Sequence, residues 1–79
     1  MEIKVLGTGC AGCKALEATV RQVVAEMGLD ATVTKVEDLM EIMSYNVMRT
    51  PAVVVDGKVV SSGKKLSASE VKGLLTKQN

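Results

Sequence analysis

Both cysteines of the chain lie three residues apart, in the segment Gly7–Lys14 between a predicted strand and a predicted helix. The short apolar run Ile3–Leu6 precedes this segment, and a sequence with helical periodicity follows it. Two thiols at this spacing are typical of a redox pair or of a site for a soft metal ion. The turn between the strand and the helix therefore constrains both the fold and the function of the chain.

The length and composition predict one small domain, residues 1–79. The chain is 47% hydrophobic but has no Trp and no Phe, so its core must be built from Val, Leu, Ile, Ala and Met. The net charge of +1, with acidic and basic residues mixed, argues against a nucleic-acid surface. No apolar run is long enough to span a membrane, and Met1–Lys4 does not resemble the start of a signal peptide. We therefore expect a cytoplasmic protein with no nucleic-acid or membrane partner.

The hydrophobic pattern predicts an α/β fold with the element order β-α-β-α-β-β-α. Four strands would form a mixed sheet that is flanked by three helices, with helices on both faces. The first three predicted elements are the strand Glu2–Leu6, a helix with an apolar face from Leu16 to Met27 that ends at Gly28, and a strand over Leu29–Val36. A second helix runs from the N-cap Asp38 to about Tyr45, with Asn46 after it in the left-handed conformation. The strands Ala52–Val55 and Lys58–Ser61 are joined by the turn Asp56–Gly57, and the capping box of Ser67 and Glu70 opens the last helix.

The position of the cysteines at the helix start favours a reactive thiol at Cys10. A helix that starts at or just after Cys10 directs free backbone N–H groups and its positive dipole end at that sulfur, and both favour a thiolate. Cys13 lies one turn later on the same face, close enough for a disulfide. Lys14 is placed either to add a cation beside the thiolate or to lie in solvent as an ordinary surface charge. Gly9 and Gly12 either keep the surroundings small enough for another disulfide to approach or only shape the turn.

This arrangement predicts an order for the two thiols. Cys10 would attack a substrate disulfide as a thiolate and form a mixed disulfide. Cys13, the more buried thiol, would then attack Cys10 and release the reduced substrate. No general base is evident, since the chain has no His.

A soft-metal carrier is the alternative function, because two thiolates between a first strand and a first helix also hold Cu(I) in copper-binding domains. Those domains usually have Met where this chain has Thr8, and they end on a strand, whereas this chain ends on a predicted helix. Zinc is less expected still, since a structural site needs four ligands and the chain has no His. The methionines at or near apolar positions are expected to fill the core rather than to bind metal; they are Met27, Met40, Met43 and Met48.

Four features taken together resemble the thioredoxin superfamily. They are the motif Cys10–Lys14 after the first strand, Thr50-Pro51 before a Val-rich strand, the hairpin turn Asp56–Gly57, and Gly63. The resemblance covers nearly the whole chain, which is similar to the small, glutaredoxin-sized redox-active disulfide proteins of bacteria and archaea. It implies a thioredoxin-like fold and the activity of a thiol–disulfide oxidoreductase.

The resemblance also implies a second half of the site. Proteins of this family carry a cis-proline loop beside the cysteine pair, which corresponds to Thr50-Pro51. The residue before the proline offers its backbone to the substrate chain, as in β-strand addition. Gly63 matches a family glycine beside the same surface; the alternative explanation of this glycine is an ordinary strand-ending turn.

The chain also departs from the family pattern around its cysteines. Gly9 stands where thioredoxins commonly have an aromatic residue, and Ala11-Gly12 stands where they have Gly-Pro. A buried acid that assists proton transfer in thioredoxins has no clear counterpart, and Lys4 lies near the place where it would be expected. These departures leave the reduction potential and the preferred partner open. We nevertheless expect Gly9, Ala11 and Gly12 to belong to the substrate-binding surface.

The sequence therefore predicts a cytoplasmic thiol–disulfide oxidoreductase with no bound cofactor, in which the redox-active disulfide Cys10–Cys13 carries the electrons. Its substrate would be a protein or small-molecule disulfide. Its electron donor would be a reductase or a low-molecular-weight thiol. The soft-metal carrier that uses the same two thiolates remains the alternative.

Overall fold

The computed structural model describes residues 1–9 and 11–77, and Cys10, Gln78 and Asn79 lie outside the described part. The strands and helices follow one another in the order predicted from the hydrophobic pattern, which is therefore confirmed. They are β1 (Glu2–Leu6), α1 (Ala11–Met27), β2 (Thr32–Val36), α2 (Leu39–Ser44), β3 (Ala52–Val55), β4 (Lys58–Ser62) and α3 (Ala68–Lys77).

The strands form one mixed four-stranded sheet in the order β2-β1-β3-β4. β1 runs parallel to β2 and antiparallel to β3, and β3 runs antiparallel to β4. The two central strands are thus β1 and β3. The unbroken apolar run Ala52–Val55 is buried at every position, as expected of a strand that is covered on both faces. The predicted α/β class with a mixed sheet is confirmed.

Helices cover both faces of this sheet, because alternate residues of each strand point to opposite sides. Ile3 and Val5 of β1 pack in one cluster with α1 and α3, whereas Leu6 packs with Ile42 of α2 on the other side. The larger cluster consists of Ile3, Val5, Leu16, Val20, Val23, Val53, Val55, Leu66, Val71 and Leu75. α2 has only six residues, so the face that it covers is the thinner layer.

The long helix α1 buries one stripe of side chains. Cys13, Leu16, Val20 and Val23 are its buried residues, at the spacing of three and four that defines one helical face. On its exposed side, Arg21 and Glu17 form an ion pair of 2.9 Å. The stripe fixes the rotation of the helix, and it therefore turns the Cys13 side chain towards the sheet.

The predicted strand Leu29–Val36 is wrong at its beginning, since β2 starts only at Thr32. The N–H of Leu29 donates to the Val24 carbonyl at 3.1 Å, and Gly28 has a φ of 62°. These features make residues 28 and 29 part of the C-terminal cap of α1. The strand begins where a partner exists, because the N–H of Thr32 donates to the carbonyl of Met1 at 2.9 Å.

The predicted turns and caps are confirmed, including the N-cap Asp38, whose side chain accepts a hydrogen bond from the Met40 N–H. Asp56 and Gly57 have φ values of 50° and 83°, as a type I′ hairpin turn requires. Asn46 has a φ of 60° after the end of α2. Ser67 and Glu70 form both bonds of the capping box, at 3.1 and 3.3 Å. None of the helices within residues 11–77 is long and apolar enough to cross a membrane.

Candidate functional site

Two loops meet at one edge of the sheet. The antiparallel ladder between β1 and β3 ends at the pair Leu6 and Ala52. The segment between β1 and α1, which we call the cysteine turn, follows Leu6. The loop with Thr50 and Pro51, which we call the proline loop, precedes Ala52. Because antiparallel pairing places the end of β1 beside the start of β3, both loops lie at the same edge. Thr8 of the cysteine turn and Thr50 of the proline loop line one groove there.

Cys13 lies in the first turn of α1, with a residue exposure of only 4%. It is the thiol that the sequence predicts to be the more buried of the two. The helix begins at Ala11, within the range that was expected from the position of Cys10. Cys10 itself, the predicted attacking nucleophile, lies outside the described residues, and so does its separation from Cys13.

Gly7 packs directly against the Cys13 side chain. Gly7 is buried, and a Cβ placed on it would overlap the Cys13 Sγ and would lie 2.8 Å from the Cys13 Cβ. Its N–H donates to the Val36 carbonyl at 2.9 Å. The absence of a side chain at Gly7 therefore leaves room for the Cys13 sulfur at the end of β1.

The proline loop is joined to the end of β4. The peptide bond between Thr50 and Pro51 is cis, so the expectation from the resemblance is confirmed on this point. Pro51 is buried and Thr50 is exposed. The N–H of Gly63 donates to the Pro51 carbonyl at 3.0 Å, and a Cβ on Gly63 would lie 3.0 Å from the Cβ of Arg49. The structure thus brings together Thr50, Pro51 and Gly63.

The other candidate residues surround the first turn of α1. Gly9 has a φ of 86°, which favours glycine at this position. Ala11 is exposed and Gly12 is partly exposed, with nothing within 4 Å of a Cβ placed on Gly12. Lys14 is exposed and makes no hydrogen bond or ion pair within residues 1–9 and 11–77. Their proposed contributions to substrate binding and to thiolate stabilisation stay predictions.

Glu37 brings a carboxylate to the cysteine turn. Its Oε2 lies 3.1 Å from the position of a Cβ on Gly9 and 3.5 Å from Lys35 Nζ. The parallel register pairs Leu6 with Val36, so the residues that follow β1 and β2 are neighbours. The sequence pattern did not indicate this acidic group, because its proximity depends on that register.

The groove between the two loops has a volume of about 400 Å³. The large hydrophobic side chains that are exposed in the described part of the chain all lie on α2 or shortly after it. The expectation that Met40, Met43 and Met48 fill the core is wrong, because α2 buries only Ile42. The residues that line the groove are Thr8, Leu39, Ile42, Met43, Val47, Met48, Arg49 and Thr50.

Lys4 connects the centre of the sheet to the end of α2. Its Nζ donates a hydrogen bond of 3.0 Å to the Tyr45 hydroxyl and lies 3.7 Å from Glu2 Oε1. The hydrogen bond to Tyr45 is the main cause that raises the pKa of Lys4 above its ordinary value. Lys4, which lies near the place where thioredoxins have a buried acid, is therefore a cation that is hydrogen-bonded to the Tyr45 hydroxyl.

The described residues contain no group of three or more His, Cys, Asp or Glu side chains that could hold a metal ion. A two-thiolate site would require Cys10, which lies outside the described part. Within that part, the edge of the sheet presents the buried sulfur of Cys13, the proline loop with Pro51 buried and Thr50 exposed, and an apolar groove.

The element order, the mixed sheet and the proline loop beside the cysteine turn define the class of thioredoxin-like α/β domains. Comparison with known proteins agrees. A family model described as a thioredoxin domain matches residues 1–76. The chain therefore belongs to the thioredoxin family.

Two archaeal relatives are similar over most of their length. A thioredoxin from Methanothermobacter thermautotrophicus is 36% identical over 76 residues, which cover 96% of this chain and 99% of the relative. A thioredoxin from Methanocaldococcus jannaschii is 40% identical over 70 residues, which cover 89% of this chain and 80% of the relative. Membership of this family supports a function of the thiol–disulfide oxidoreductase type, with protein disulfides as substrates and a reductase as partner.

Three features of the site were missed in the sequence. Gly7 stands out in the sequence only as the first residue of the segment that holds the cysteines, although its place directly after a buried strand could have suggested close packing. Glu37 required the register between β1 and β2. The exposed methionines of α2 could have been noticed because Met40 and Met43 cannot both share the face of Ile42 in so short a helix.

Proposed function

We propose that this chain reduces or exchanges disulfides with the dithiol of Cys10 and Cys13. The Cys10 thiolate attacks one sulfur of the substrate disulfide, and the other substrate sulfur leaves as a thiolate that takes a proton from solvent. Cys13 then attacks the Cys10 sulfur of the mixed disulfide, and the second substrate thiolate leaves. The protein dithiol loses two electrons in forming its disulfide, and the substrate disulfide gains them.

The observation that carries the proposal is the groove shared by Thr8 and Thr50. A substrate bonded to a cysteine of this turn must pass beside the proline loop. The β1–β3 ladder ends at Leu6 and Ala52, so the backbone of Thr50 lies beyond it. That backbone is available to pair with an extended substrate segment, in the manner of β-strand addition.

The burial of Cys13 supports the division of roles between the two thiols. At 4% exposure, its sulfur is poorly accessible to a disulfide from another molecule. A sulfur of the same chain, three residues earlier in the sequence, can still react with it from within the protein. Cys10 is therefore assigned to attack and Cys13 to resolve.

No bound cofactor is required for this chemistry, because the redox-active pair Cys10–Cys13 itself stores the electrons. They would be supplied by a reductase or a low-molecular-weight thiol and would pass to a protein or small-molecule disulfide. Such a cycle belongs in a reducing compartment such as the cytoplasm, where thiols are regenerated.

The test compares Cys10→Ser and Cys13→Ser with the wild type, using a protein disulfide as substrate and a chemical dithiol as reductant. Cys13→Ser should accumulate a mixed disulfide that mass spectrometry detects, whereas Cys10→Ser should form none. Equal trapping by both variants would contradict the assigned order. A wild type without turnover that binds Cu(I) tightly on the same sample would favour the soft-metal alternative.

A further inference from the structure

Gly7 is a glycine that is needed for space and not for its backbone conformation. It is not among the described residues with positive φ, so its φ alone would allow other residues. A Cβ at this position would nevertheless overlap the Cys13 Sγ and lie 2.8 Å from the Cys13 Cβ. Non-bonded carbon atoms are best separated by roughly 3.5–4.0 Å. One of the two residues would have to move.

The backbone of Gly7 is the less movable of the two. Its N–H is bonded to the Val36 carbonyl at 2.9 Å. Leu6, the residue before it, is paired with Val36 in β2 and with Ala52 in β3. Displacing Gly7 would therefore disturb pairing on both sides of the central strand. Cys13 lies in the first turn of a helix, where fewer bonds hold the backbone, so a side chain at position 7 would displace Cys13.

We infer that Gly7 is a positioning residue for the resolving thiol. It lets the Cys13 sulfur settle against the end of β1, and this contact fixes where the sulfur stands when it attacks the mixed disulfide. The inference rests on the proposed function, in which Cys13 resolves the bond between Cys10 and the substrate. In that step the bond between Cys13 and Cys10 forms, the bond between Cys10 and the substrate breaks, and the substrate leaves as a thiolate.

The test is the variant Gly7→Ala, which adds only the Cβ. Misplacement of a reacting group by about 1 Å costs on the order of a hundredfold in rate, so resolution should slow by at least about tenfold. The mixed disulfide should then accumulate, while its formation at Cys10 keeps the wild-type rate. A tenfold weaker tendency to close the Cys10–Cys13 disulfide makes the reduction potential about 30 mV less negative.

Gly73→Ala is the matched control, since nothing lies within 4 Å of a Cβ on Gly73 and this residue is far along the chain on α3. It should leave resolution and potential unchanged. Wild-type resolution and potential in Gly7→Ala would overturn the inference. The potential is measured in a glutathione redox buffer and needs no physiological partner. The contact can therefore be tested even if the wild type fails to turn over a protein disulfide, which would instead contradict the proposed function.

A second variant covers the case in which Gly7→Ala does not fold. Cys13→Ala removes the Sγ, the atom with which the added Cβ overlaps. Cys13→Ala should therefore restore folding to a Gly7→Ala chain that does not fold. Where both variants fold, Gly7→Ala should cost less unfolding free energy in the Cys13→Ala background than in the wild type with its disulfide intact, the form in which Cys13 is described, as a double-mutant cycle in urea would measure. An equal cost in both backgrounds would show that the Cys13 sulfur is not what Gly7 accommodates, and it would overturn the inference.

Discussion

The N–H of Gly63 donates a hydrogen bond to the carbonyl oxygen of Pro51, 3.0 Å away, and thereby joins the end of β4 to the proline loop. Gly63 has a φ of 74°, and the Cβ of Arg49 lies 3.0 Å from where a Cβ of Gly63 would be. A residue with a side chain would be disfavoured by its backbone conformation and by crowding. Glycine at this position therefore keeps the loop of Thr50 and Pro51 against the sheet edge.

Gly63→Ala should lower the free energy of unfolding by about 1–2 kcal/mol, the cost of a left-handed conformation for a residue with a Cβ. Urea unfolding measures this loss. Gly73→Ala is the opposite control, because replacing an exposed glycine inside α3 should stabilise the helix by about 0.5–1 kcal/mol. A Gly63→Ala variant as stable as the wild type would show that the loop does not depend on this glycine.

The hydrogen bond from Lys4 to Tyr45 should make the free energy of unfolding depend on pH in the alkaline range. Because the Tyr45 hydroxyl raises the pKa of Lys4 above 10.5, the charged amine is favoured in the folded state. Its stabilisation is fully present below pH 10.5 and is lost as the pH rises through the higher folded-state pKa.

Tyr45→Phe removes the acceptor and should bring the pKa of Lys4 back towards its ordinary value. The urea midpoint of the variant should fall slightly at neutral pH, and an NMR titration of the Lys4 side chain should show the lower pKa. Lys4→Met removes the donor and completes a double-mutant cycle. Additive effects of the two substitutions would mean that the bond does not contribute to stability.

Most of the fold could be predicted from local patterns in the sequence. The alternating residues of β1, the apolar stripe of α1 and the unbroken apolar run Ala52–Val55 are each compatible with one kind of element in a layered α/β domain. Gly28 and Asn46 were recognised as helix ends because both tolerate positive φ. The predicted start of β2 was wrong, because the hydrogen bond from the Leu29 N–H to the Val24 carbonyl competes with strand pairing. The apolar pattern of the sequence does not indicate this bond.

The details of the site could be predicted less well, since they depend on contacts between elements. The cysteine motif and Thr50-Pro51 could be recognised directly as short sequence motifs. The packing of Gly7 on Cys13 and the approach of Glu37 to Gly9 arise from the register of β1 with β2 and from the rotation of α1. Hydrophobic patterning fixes which face of an element is buried, but it does not fix which atoms meet there.

The capping box at the start of α3 should make stability depend on acid pH. The bonds from Ser67, first through its backbone N–H and then through its side chain, lower the pKa of Glu70 below 4.5. The stabilisation from the charged carboxylate is therefore complete above pH 4.5 and disappears as the pH falls through the lower folded-state pKa.

Glu70→Gln should be less stable than the wild type at pH 7, and the difference should vanish at strongly acidic pH, where the wild-type carboxyl is also neutral. Ser67→Ala should cost about 0.5–2 kcal/mol, as loss of an N-cap hydroxyl usually does. Urea unfolding at several pH values measures both. A difference between Glu70→Gln and the wild type that does not change with pH would mean that the charge of Glu70 is not involved.

The apolar groove beside the proline loop should matter for protein substrates and not for small disulfides. Met43 lines this groove and is 59% exposed, whereas Met40 on the same helix is 75% exposed and does not line it. A protein segment bonded to the cysteine turn can cover Met43, and partial burial of such a side chain contributes about 1 kcal/mol.

Met43→Gln should therefore raise the KM for a protein disulfide about fivefold, a factor that corresponds to about 1 kcal/mol. Its rate with a small aromatic disulfide, which is too short to reach α2, should remain that of the wild type. Met40→Gln makes the same chemical change outside the groove and should leave both rates unchanged. Equal effects of the two substitutions on the protein substrate would show that the groove does not select it, because only Met43 can contact a chain that lies between Thr8 and Thr50.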